Sequence, residues 1–176
     1  MKKIIPLLSL LAGLVTGCVS VPKDVAVVEG FELKRYLGTW YEIARLDHSF
    51  ERGLDNVSAN YSLRDGGGVT VLNRGRTAKC KWKEAKGKAF FVGDPGIGRL
   101  KVSFFIPFYG AYNIIALDKQ NYAWAMVCGP DKSYLWILSR TPALDETVKQ
   151  QLTAQAKTAG FDTASLIWVQ HMPRTK

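Results

Sequence analysis

Two histidines and three cysteines are all this 176-residue chain has of the softer metal-ligating side chains. No pair among them has the short spacing of a zinc site. No Gly-x-Ser-x-Gly elbow is present, which removes the usual hydrolase nucleophile. The glycine-rich run Gly93–Gly98 is followed by no Gly-Lys-Ser/Thr, so it is not a phosphate loop. Asp47, His48 and Glu51 are close enough in sequence to form an acid/base set, but within a loop they read as solvated side chains. Acidic residues are scarce: 15 Asp and Glu face 24 Lys and Arg, for a formal charge of +9. Such a surface attracts anionic lipid head groups or nucleic acid. The scattering of the basic residues, and the export signal described next, argue against nucleic acid. Nor does the N-terminal apolar stretch Ile4–Val15 reach the roughly 18–20 residues of a membrane-spanning helix.

That stretch follows Lys2 and Lys3 and precedes Val15-Thr16-Gly17-Cys18, which together resemble a bacterial lipoprotein leader and its lipobox. Cleavage is expected before Cys18, leaving it acylated as the first residue of the mature chain. Loss of Lys2 and Lys3 takes the charge from +9 to +7. Val19 stands where an Asp would resemble an inner-membrane retention signal, so the expectation is an outer-membrane anchor facing the periplasm. Residues 18–30, with Val21-Pro22 and no periodic pattern, read as an extended tether. One domain, residues 31–176, follows. Cys80 and Cys128 would meet an oxidising compartment after export, and sequence leaves open whether they pair or stay as two thiols.

Phe31–Leu37 reads as a short helical turn. Beyond it the periodicity is that of strands: Thr39–Leu46, Asn56–Leu63, Val69–Gly75, Trp82–Phe91, Leu100–Phe105, Tyr112–Leu117, Trp124–Cys128 and Tyr134–Ser139. Gly, Pro, Asp and Asn turns separate them, the pattern of an all-β sandwich or barrel. Val57, Ala59, Tyr61 and Leu63 alternate with polar residues, as do Leu100, Val102 and Phe104. One face of the sheet is therefore buried. The inward set comprises Tyr61, Phe104, Tyr112, Ile114, Met126, Trp136 and Leu138. From Pro142 the period lengthens, with Leu144, Val148, Leu152 and Ala156 on one side and Gly160 after the end. This predicts a helix packed outside the sheet, with a short extra strand at Leu166–Val169.

Two segments carry most information: Gly38–Arg45 (GTWYEIAR) and Leu135–Arg140 (LWILSR). If the strands run up and down around a barrel, Trp40, the turn at Asp118 and Arg140 converge on one pole. A guanidinium over the indole is a favourable pair and would plug that pole. The loops Asp47–Asp55, Ile106–Gly110 and Gly129–Ser133 gather at the other, which becomes a mouth. The apolar loop Ile106-Pro107-Phe108-Tyr109-Gly110 is a candidate contact with a membrane or a second protomer, or a fold over the chain's own cavity.

Gly38-Thr39-Trp40, Asp118 with Tyr122, and Arg140 resemble the three motifs of the lipocalin family, more narrowly its bacterial outer-membrane lipoprotein members, which are related to apolipoprotein D. Leu117 departs from the second motif, where Thr is more usual. The resemblance covers about residues 31–170. It implies an all-β, eight-stranded up-and-down antiparallel barrel with a C-terminal α-helix outside, structural roles for Gly38, Trp40, Asp118 and Arg140, and no cofactor. It also places Tyr61, Tyr112 and Trp136 at ligand-lining positions. The apolar and aromatic inward set, read as the ligand-binding surface, itself suits a fatty acid or lysophospholipid whose polar head stays at the mouth near Arg45, His48 or Arg52. A binding protein for storage or transport is expected. The alternatives are a lipid-turnover enzyme using the same cup and a filled barrel with a structural role. A homodimer is left open.

Overall fold

Every strand expected from the sequence is present in the computed structural model, which describes residues 19–172. The leader and the acylation residue Cys18 lie outside the described residues. A short helix, α1 (Leu33–Tyr36), leads into β1 (Gly38–Arg45), β2 (Leu54–Leu63), β3 (Val69–Thr77), β4 (Trp82–Phe91), β5 (Arg99–Phe105), β6 (Phe108–Leu117), β7 (Trp124–Cys128) and β8 (Leu135–Ser139). Each strand pairs antiparallel with the next, and β1 pairs with both β8 and β2, which closes the barrel. Helix α2 (Glu146–Thr158) follows, and then β9 (Ile167–Trp168), which pairs with the far end of β1 at Ala44 and Arg45. β2 pairs with β1 only over Gly38–Tyr41, so β9 occupies the gap where the two strands part.

Two apolar clusters lie on the two faces of the sheet. The inner one gathers Trp40, Tyr61, Val69, Val71, Leu100, Ile114, Val127 and Leu138. The outer one is held between the β1, β7 and β8 wall and α2, with Ile43, Met126, Cys128, Leu135, Ile137, Leu152 and Ala156. Met126, expected inside, belongs to the outer cluster. It lies opposite Ile137, whereas Ala125 and Val127 oppose the inward Leu138 and Trp136. Both faces of β7 are buried, so apolarity could not distinguish its two sides. Ile114 does face inward, but it packs below the cavity rather than lining it.

Three boundaries differ from expectation. Helix α2 begins at Glu146, not Pro142, because the Asp145 carboxylate accepts from the amides of Thr147 and Val148 and caps it. Strand β6 begins at Phe108, so the expected five-residue mouth loop is a tight turn at Ile106 and Pro107. The segment after residue 18 is no free tether. The Val28 amide donates to the Ile114 carbonyl at 2.9 Å and the Phe31 amide to the Gly96 carbonyl at 2.8 Å, which dock it on the barrel.

Cys80 and Cys128 are both free. Cys80 is exposed in the turn between β3 and β4, and Cys128 is buried under α2, where burial pushes its thiol up to about 12. A thiolate is the reactive species. A disulfide-exchange reagent is therefore expected to modify one thiol in native protein beginning at residue 19, and the second only after denaturation. A native protein with no titratable thiol would contradict this.

Candidate functional site

The closed pole is built around Trp40, which is fully buried. Its Nε1 donates to the Tyr36 carbonyl at 2.8 Å, and the Arg140 guanidinium lies 3.9 Å from its ring centroid. Arg140 also donates to three backbone carbonyls: Thr39 at 3.0 Å, Arg35 at 2.6 Å and Tyr122 at 3.2 Å. One side chain thus ties β1, α1 and the β6–β7 turn together. Asp118 holds that turn by accepting from the amides of Gln120, Asn121 and Ala123. Gly38 has φ +92°, and a Cβ there would lie 3.5 Å from an Arg140 nitrogen. Only glycine adopts that backbone without strain. The four residues expected to close the barrel therefore meet at one pole.

Above the plug a cavity opens toward the other pole. Its walls include Val57, Val71, Ala89, Leu100, Val102, Phe104, Trp136 and Leu138. Of the seven residues expected inward, Tyr61, Phe104, Tyr112, Trp136 and Leu138 line it; Ile114 and Met126 do not. The cavity has a volume of about 120 Å³. A lumen of this size is open space, so the barrel is not filled. Tyr61 and Tyr112 do not wait for a ligand's head group. Their hydroxyls share a hydrogen bond of 2.8 Å, and Tyr112 shares another of 2.7 Å with Tyr36. Burial raises all three phenols, which stay neutral. The trio forms the floor of the cup. Tyr36 escaped the sequence reading because it precedes the strand pattern.

The polar part of the wall was also missed. Glu42 and Glu51 line the cavity and are almost wholly buried. Arg45 Nη1 donates to Glu42 at 2.7 Å, and Trp136 Nε1 donates to Glu51 at 2.9 Å. Simple alternation would put Glu42 and Arg45 on opposite faces. A bulge between Glu42 and Ala44 shifts the phase by one and brings them together. Arg45 Nη2 donates to the carbonyls of Glu51 and Leu54, so both terminal nitrogens are engaged within the protein and only the buried Nε is left without a partner; this is not an exposed head-group site. Asn73 adds an amide oxygen, buried in the wall with no hydrogen-bond partner.

Two carboxyls beside one guanidinium in a desolvated space hold a proton between them. Burial first, then the charge of Glu51, pushes Glu42 up to about 8; burial also raises Glu51. The pair titrates as a unit. An acid raised by folding keeps, in the native state, a proton that the unfolded chain has already released. Stability from this source therefore falls as pH climbs toward about 8. His48, lowered by burial, acts in the opposite sense below its usual 6.5. The window from pH 6.5 to 8 thus isolates the pair. Tm is expected to fall across it in the wild type and to flatten in Glu51→Gln, whose amide oxygen still accepts from Trp136. A wild-type Tm that rises through this window would contradict the shared proton.

At the mouth, His48 and Glu51 are buried, not solvated as expected. The His48 ring stacks on Phe50 at 5.3 Å and on Tyr134 at 4.6 Å. Asp47 is exposed and paired with Arg52. The three groups of the possible acid/base set thus have separate partners. Of Arg45, His48 and Arg52, only Arg52 stands at the surface.

A family model described as a lipocalin-like domain matches residues 31–171. The outer membrane lipoprotein Blc of Citrobacter freundii is 58% identical over 162 residues, covering 90% of this chain and 91% of the relative. Its Escherichia coli K12 counterpart is 57% identical with the same coverage. Rat apolipoprotein D is 35% identical, with 82% of each chain covered. Among solved structures, insecticyanin of Manduca sexta superposes with a TM-score of 0.70 over 87% of each chain at 22% identity, a likeness of fold alone.

Proposed function

Since this chain belongs to the lipocalin family, we propose that it binds one single-chain lipid, a lysophospholipid in preference to a fatty acid, with the acyl chain in the cup and the head at the mouth. The observation that carries this reading is the polarity of the cup. The wall is apolar except for the Glu42 and Glu51 carboxyls, the unpartnered Asn73 oxygen, Ser58 and the tyrosine hydroxyls that already bond one another, so the groups open to a ligand are mostly acceptors. An ionised fatty acid brings only further acceptors and a like charge. A lysophospholipid brings a free hydroxyl that can donate, and its charged phosphate stays outside. The apolar wall strips water from the chain at roughly 25 cal/mol per Å². The protein is not an enzyme, acts in lipid storage or transport for envelope maintenance, and is held by acylated Cys18 at the outer membrane, facing the periplasm.

Trp136 sits in the cavity wall and reports on its contents. Titration with a lysophospholipid brominated in its acyl chain is expected to quench tryptophan emission at one equivalent, and Trp136→Phe to remove most of that quenching. Palmitate at pH 7.5 is expected to displace the ligand at least about tenfold less well than unlabelled lysophospholipid, a gap of about 1.4 kcal/mol. Equal displacement by palmitate would overturn the head-group preference. No saturable quenching would overturn the cup itself.

A further inference from the structure

The described chain starts at the mouth. Ser20 Oγ donates to the carbonyl of Pro130, in the β7–β8 loop, at 3.1 Å, and Asn113 Nδ2 donates to the Ser20 carbonyl at 3.0 Å. From there the segment descends the outer wall toward the closed pole, fixed by Val28 on Ile114 and Gly98 and by Phe31 on Gly96. It contributes no slack. Only Val19 separates Ser20 from position 18, a reach of about 7 Å at full stretch.

The most exposed apolar side chains share that pole. At the β5–β6 hairpin tip, Phe105 is 81% exposed, Ile106 67% and Phe108 77%; Phe50, on the mouth loop, is 63% exposed. An apolar cluster left bare at a hairpin tip marks a contact surface. Beside it, a groove on the outer wall is lined by Arg64, Lys86 and Lys88 against one carboxylate, Asp65, together with Leu63 and Ile106. Lys101 stands 5.1 Å over the Tyr109 ring on the same wall. Aromatic and aliphatic tips flanked by cations match an interface between acyl chains and anionic head groups, with about 1 kcal/mol per basic residue near the surface. A second copy of this chain would bring like-charged strips together. A bilayer would not.

We propose that the mouth faces the bilayer. Phe105, Ile106 and Phe108 sit at the level of the head groups, and Lys86, Lys88 and Lys101 lie against anionic lipid phosphates. The cup then opens onto the membrane, and a single-chain lipid passes between them without crossing water. This orientation rests on the reading of Cys18 as the lipid anchor, not on the head-group preference.

The test uses the full acylated chain in vesicles of phosphatidylethanolamine and phosphatidylglycerol, in a Cys80→Ser background. A fluorophore is placed at Ile106→Cys, or at Lys119→Cys in the β6–β7 turn of the closed pole. Lipids carrying a nitroxide near the head group are expected to quench the probe at 106 several-fold more than the probe at 119. Replacing phosphatidylglycerol with neutral lipid is expected to weaken that quenching. Equal quenching, stronger quenching at 119, or excimer emission between pyrenes at 106 without lipid quenching would each overturn the orientation. Mass analysis of the N-terminal peptide separates the premises: an unacylated peptide removes the anchor, whereas an acylated chain with an unquenched tip removes only the orientation.

Discussion

Trp40→Ala lowers the stability of the barrel by about 3–5 kcal/mol, the range for truncating a large buried aromatic side chain. The site gives little scope for collapse. Trp40 is fully buried, its ring lies 4.6 Å from the Tyr36 ring, and the Arg140 guanidinium lies 3.9 Å from its centroid. Truncation removes the indole donor from the Tyr36 carbonyl and the surface on which the guanidinium rests. Arg140 keeps its three carbonyl partners, so the pole loosens without opening completely. With domain stabilities usually about 5–15 kcal/mol, a loss of this size leaves a marginal fold. Urea unfolding reads it directly as a lower midpoint at unchanged slope. A loss below about 1 kcal/mol would mean that Trp40 is not the keystone of the closed pole.

Val102→Trp abolishes lysophospholipid binding and leaves the fold intact. Val102 packs at the edge of the inner cluster, lines the cup and is only partly buried, so part of its side chain faces open space. An indole there takes volume from a lumen of about 120 Å³. Each methylene shut out of the cup forfeits about 0.8 kcal/mol. Excluding four of them weakens binding by about 3 kcal/mol, more than a hundredfold. The brominated-lipid titration should lose its saturable phase, while the thermal transition stays cooperative and within a few degrees of the wild type. Retained binding would place the acyl chain somewhere other than this cavity.

The strands and the plug were legible because they rest on local rules. Alternation along Val57–Tyr61 and Leu100–Phe104 reports one buried face, whereas Leu63, expected on it, is 60% exposed at the end of β2. Gly38, Trp40 and Arg140 occupy positions whose roles follow once strand directions are counted. What stayed hidden depends on tertiary context. The face of Met126 is decided by α2, which buries the second side of β7. The meeting of Glu42 and Arg45 depends on a one-residue bulge that periodicity cannot foresee. The segment expected to be a tether is held by backbone hydrogen bonds, which any side-chain sequence can make. His48 and Glu51 look solvated on a loop, and become buried only because Phe50, Tyr134 and Trp136 fold around them. The cup's apolar walls were therefore readable from the chain, and its acidic lining was not.

Native mass spectrometry of residues 19–176, purified without detergent, reads the contents of the cup most directly. One monoacyl lipid per chain is expected, released on extraction as a lysophospholipid, with Val102→Trp emerging empty from the same preparation. A wild-type protein that emerges empty and takes up no added lysophospholipid would contradict the lipid-binding cup.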